Sequence, residues 1–130
     1  HPLAAMTEFE RSLEPILAQD PRYGRGAYVF LREALDETKS DLLLREGKDR
    51  HISAAELLDG LKHLALAQFG PMAWTVLDDW GIHSCEDWGE VVFNLIEHKV
   101  LTKTDQDSKA DFQGGYDFHE TFRRPFQRPD

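Results

Sequence analysis

Five stretches of the chain carry apolar residues at helical spacing, each opened by a residue suited to a helix start. Thr7 followed by Glu10 reads as a capping box, and Phe9, Leu13, Ile16 and Leu17 then recur every three or four positions. This predicts a short first helix, bent by Pro15 unless its true start lies near Ser12, which would place the proline in the first turn. Asp20 and Pro21 read as an N-cap with proline at the first helical position, and Tyr23, Ala27, Phe30, Leu31, Ala34 and Leu35 share one face of the second helix. Leu42, Leu43 and Leu44 can extend it before a polar loop at 45–50 that contains Gly47. Ser53 with Glu56 forms another capping box ahead of Leu57, Leu58, Leu61, Leu64 and Ala65. Gly70 and Pro71 end that helix, and the proline can open a fourth, carrying Ala73, Val76, Leu77 and Trp80 until Gly81 stops it. Ser84 caps a fifth, with Trp88, Val91, Val92, Leu95 and Ile96 facing inward.

Beyond His98 the pattern changes. Residues 100–104 are rich in strand formers, 105–110 read as a polar turn, and 116–122 alternate aromatic and polar side chains. The expectation is a mainly α fold with a small C-terminal antiparallel β-hairpin: an N-terminal helical pair packed on a winged-helix-like half. Residues 1–6 read as a leading stretch outside the domain, with Met6 resembling a native first residue. Residues 7–122 form one domain, and 123–130, with two prolines, an extended or disordered tail. The nine residues from Tyr23 can also be laid over the nine from Phe69, an echo short enough to arise from similar helix starts alone.

Charge tests the winged-helix reading. The 130 residues hold 24 acidic and 15 basic side chains, a formal net charge of -9, which repels polyanions on average. From position 63 to 98 there is no lysine or arginine, while Asp78, Asp79, Glu86, Asp87, Glu90 and Glu97 fall in the same interval. A recognition helix opening on carboxylates opposes a phosphate surface but suits its own dipole. Nucleic-acid contact is thus disfavoured, and its candidates are confined to a wing with Lys99 and Lys103 and a tail with Arg123, Arg124 and Arg128. Lys109 adds a little to the wing. Protein pairing, including self-association, suits the acidic surface better.

Candidate chemistry is sparse. His83, Cys85, Glu86 and His98 lack the paired spacing of a zinc site, and no phosphate loop or nucleophile motif is present, so neither metal nor cofactor is expected. Arg22 with Tyr23, and Arg50 with His51, flank helix starts and are the candidates for lining a small pocket, against the plainer reading of surface pairing and capping. Trp74, Trp80 and Trp88 read as packing where helices four and five cross. With one cysteine, no apolar run of spanning length and no signal-peptide pattern, a cytoplasmic protein without membrane contact is expected.

The chain as a whole resembles the verruco-plancto-restricted family of small uncharacterised bacterial proteins. The likeness rests on Asp20-Pro21-Arg22-Tyr23, Ala27-Tyr28-Val29-Phe30 and Arg50-His51-Ile52-Ser53, on Trp80-Gly81-Ile82, on the stretch from Val91 to Ile96, and on Tyr116-Asp117-Phe118. It extends over about 7–122 and implies one intact domain, with no activity, cofactor or partner attached. The functional expectation is therefore a non-catalytic protein-interaction or regulatory module. The alternatives are nucleic-acid binding through wing and tail, and a small-molecule pocket or enzyme near Arg22, Tyr23 and His51.

Overall fold

The computed structural model describes residues 7–102 and 108–127. Five α-helices follow in order: α1 (Glu8–Gln19), α2 (Arg25–Glu46), α3 (Ala54–Phe69), α4 (Ala73–Asp79) and α5 (Cys85–Glu97). Short helical turns at Gly70–Met72, Lys109–Phe112, His119–Arg123 and Arg124–Phe126 complete the described chain.

Both capping boxes form. Thr7 and Ser53 accept from the backbones of Glu10 and Glu56, whose carboxylates return the bond to the cap residues. Ser84 accepts from the Asp87 amide and so fixes the start of α5. Gly47 ends α2 in the left-handed region, which settles an end that the run of leucines leaves vague. Pro15 lies inside α1.

The second helix starts later than the Asp20-Pro21 signal predicts. Asp20 instead ends α1, Pro21 lies in a turn, and Gly24 is the N-cap of α2. The Asp20 carboxylate is committed elsewhere: it accepts from the Arg22 amide, the Arg22 guanidinium and Asn94 of α5. A long-range bond set thus displaces a local capping signal.

The core takes Leu13 and Ile16 from α1, Ala27, Tyr28 and Leu31 from α2, and Leu57, Leu61 and Ala65 from α3. Leu77 of α4 and Trp88, Val91 and Leu95 of α5 close it, and Trp88 is 1% exposed. Phe30 sits among Phe69, Trp80 and Trp88, with ring centroids 5.5, 5.5 and 6.2 Å away. Trp80 and Trp88 therefore pack inward, but around Phe30 of α2 rather than at the expected crossing of α4 with α5. Trp74 departs from that expectation: it meets His119 edge-on at 5.9 Å and carries the Arg123 guanidinium over its ring. The corner between α4 and α5 needs Gly81, whose φ is +86°; a β-carbon at this position would lie 2.2 Å from the Arg22 carbonyl oxygen.

The C-terminal β-hairpin is absent, and with it the wing of a winged helix; the described residues contain helices and turns and no strand. Mainly α holds. Two local interactions explain the correction. Val100 and Leu101 donate their amides back to the Leu95 carbonyl at 2.8 and 3.3 Å, closing the end of α5 before a strand can begin. In the second predicted strand, the Asp117 carboxylate accepts from the Glu120 amide at 2.9 Å and starts a helical turn. Phe118 and Phe122, four residues apart, then face the same way and meet at 5.0 Å. Lys103 and the turn at 105–107 lie outside the described residues.

Candidate functional site

Helix α5 has two long faces with different chemistry. On the first stand Asp87, Glu90 and Asn94, spaced by three and four residues and therefore stacked along one side. Asp87 accepts from the Tyr23 hydroxyl at 2.7 Å and from the His83 amide at 2.9 Å. Glu90 takes the Arg22 guanidinium at 3.1 Å and the Lys109 ammonium at 3.3 Å. Asn94 donates to Asp20 at 2.9 Å and to the Tyr28 hydroxyl at 3.0 Å.

The electrostatics follow from these partners. The Arg22 hydrogen bonds hold the Asp20 carboxyl well below the usual carboxylate range, and Asn94 assists against the opposing effect of burial. Burial first, then the bond to Asp87, pushes the Tyr23 hydroxyl up, so it stays a donor. Asp20, Arg22, Asp87 and Glu90 each have an internal partner, and the assembly clamps the α1–α2 turn to α5.

The second face carries Val92, Phe93 and Ile96. It forms one wall of a groove of about 400 Å³, a size that takes small organic ligands. Leu35 of α2, Ile52 just ahead of α3 and Leu57 in its first turn line the groove as well. Val100, Leu101 and Phe112 close its end. Phe112 comes this near because position 89 is glycine: a β-carbon there would lie 2.9 Å from the Phe112 side chain. Around the apolar interior stand Lys39, His51, Ser53, Thr102, Ser108 and Asp111, all exposed.

The four candidate pocket residues do not meet in one cavity. Arg22 borders a small polar hollow with Gln19, Asn94 and His98, whereas His51 lines the apolar groove. Tyr23 is buried with its hydroxyl on Asp87. Arg50 clamps Glu46 and Glu56, at 2.9 and 2.7 Å, and holds the α2–α3 loop. With the Ser53 amide, that clamp lowers the Glu56 carboxyl to about 2.

The nucleic-acid candidates are dispersed as well. Lys99 is exposed at the end of α5, with a φ of +62°. Arg123 lies over Trp74 and Arg124 pairs with Glu120, while Lys109 is taken by Glu90. Lys103 and Arg128 lie outside the described residues.

Cys85 is buried at the start of α5, and burial pushes its thiol up despite bonds with the Tyr116 backbone. His83 pairs with Asp78 at 2.8 Å. Among the described residues no group of three histidine, cysteine or carboxylate side chains is placed to hold a metal ion.

Lys39, Phe93, Ile96 and Leu101 are not among the candidates that the sequence suggests. A signal exists for two of them. At 100° per residue, the apolar positions of α5 from Val91 round to Phe93 sweep an arc of about 200°, twice what a helix needs for one core-facing stripe. The excess is the groove wall.

Compared with protein-family models, with curated proteins and with solved structures, the chain matches none. No helix among the described residues is long and apolar enough to cross a membrane.

Proposed function

We propose that the chain is a non-catalytic binding module and that its working surface is the groove between α2, α3 and α5. The observation that carries this reading is the half-buried wall of Leu35, Phe93, Ile96, Val100 and Leu101, apolar surface that the fold brings together around a cavity and leaves accessible. Several titratable groups elsewhere have structural tasks: Arg22, Asp20, Asp87 and Glu90 clamp helices, Arg50 and Glu56 clamp a loop, and Cys85 is buried. Groups committed in this way support binding rather than chemistry as the role of the surface they hold together. Membership of the verruco-plancto-restricted family and a cytoplasmic setting belong to the same proposal.

A neutral apolar dye such as Nile red tests it. Saturable blue-shifted fluorescence is expected with the native chain and is lost in Ile96→Glu, whose charge enters the groove wall, with helicity by circular dichroism confirming that the variant folds. Dye binding unchanged by Ile96→Glu would remove the groove as the working surface.

A further inference from the structure

The groove is greasy inside and rich in hydrogen-bond donors at its mouth. Lys39 is exposed there and forms no ion pair among the described residues. The Ser108 oxygen accepts from the Ala110 amide, which leaves the hydrogen of its hydroxyl available to donate, whereas the Ser53 hydroxyl is engaged with Glu56 in the capping box. Thr102 adds another hydroxyl. Among the described lining residues the acidic one is Asp111, whose carboxylate accepts from the Ser108 amide at 3.1 Å and is held in a local turn. A ligand entering this groove therefore leaves an apolar body among Val92, Phe93 and Ile96 and meets donors with its head.

We propose that the groove takes a single-chain amphiphile with a carboxylate head, its hydrocarbon in the interior and its head at Lys39 and Ser108. This rests on the groove being the binding surface. A carboxylate is an acceptor without a hydrogen of its own at neutral pH, which complements a donor-rich mouth. A cationic head would find Lys39 instead and be repelled. The exclusion is local, since the chain as a whole is acidic.

Calorimetric titration of the full chain with decanoate, 1-decanol and decyltrimethylammonium, each below its aggregation threshold and at low salt, tests the assignment. Decanoate is expected to bind about fivefold more tightly than decanol, the gain of an exposed ion pair aided by hydroxyl donors. Lys39→Gln closes that gap, whereas Lys48→Gln, which makes the same change in net charge away from the groove, leaves it as in the native chain. Decanol binding as tightly as decanoate, or the ammonium binding best, overturns the carboxylate assignment while the groove reading stands. A gap that survives Lys39→Gln overturns the placement of the head. Failure of all three probes to bind removes both the assignment and the binding groove.

Discussion

Helix α5 presents the same backbone to two neighbourhoods and is used differently by each. On the side of Asp87, Glu90 and Asn94, polar groups reach residues 64 to 74 positions away in sequence and find partners: Tyr23, Arg22, Asp20 and Tyr28. On the side of Val92, Phe93 and Ile96, the apolar wall meets a cavity, and the nearby ammonium of Lys39 has no counter-ion among the described residues. Saturated polar groups hold a structure together because leaving one unpaired in a buried setting is costly. Accessible apolar surface beside unused donors adds little to folding, and its energy is available to a ligand. The first face is architecture; the second is the proposed site.

Substitutions along α5 sharpen that contrast. Trp88→Ala, in the core between the faces, is expected to cost about 4 kcal/mol in urea-unfolding stability. Asn94→Ala leaves the buried Tyr28 hydroxyl without its partner and is expected to cost about 2 kcal/mol by the same measurement. Phe93→Ala, on the groove wall, costs about 1 kcal/mol, because a half-buried ring has less to lose. A cost for Phe93 as large as that for Trp88 would mean that the groove wall is ordinary core.

Acid acts on the clamps. Asp20 and Glu56 titrate lower in the folded chain than in the unfolded one, so each contributes stability above its unfolded pKa that disappears as pH falls through its folded value. For Glu56 the window runs from the ordinary 4.5 down to about 2. Chemical denaturation between pH 5 and 2 should show stability falling, with a shallower fall in Asp20→Asn and in Glu56→Gln. Equal slopes in native and variant chains would show that these clamps carry no folding energy. Smallest of all, Lys39→Gln should change stability by no more than about 0.5 kcal/mol, since it loses no ion pair within the described chain.

Much of the helical frame is legible because its signals are local. Thr7 with Glu10, Ser53 with Glu56, and Ser84 each start a helix where the sequence places one, and Gly81 turns the chain where it must. The pattern misleads where a distant partner overrides a local preference. Asp20 reads as a cap for α2 and serves Arg22 and Asn94 instead. Tyr116 reads as a strand residue, yet its hydroxyl donates to the Leu58 carbonyl and its amide bonds the Cys85 sulfur. The C-terminal helical turn has a local signal that the alternation of aromatics masks: Asp117 three residues before Glu120, with Phe118 and Phe122 four apart. For the candidate site, His51 is legible as a residue beside a helix start. Lys39 is not, because nothing in the sequence of α2 says that its exposed end will stand at the mouth of a cavity walled by α5.

The most direct test of the two-faced helix is a titration of the isotope-labelled chain with 1-decanol, followed residue by residue in amide and methyl NMR spectra. Binding in the groove predicts shifts concentrated at Ile52, Leu57, Val92, Phe93, Ile96 and Leu101, with Asp87, Glu90 and Asn94 unmoved. Shifts centred instead on a separate surface hollow lined by Trp74, Phe122 and Phe126 would contradict the account, as would shifts running along the polar face of α5.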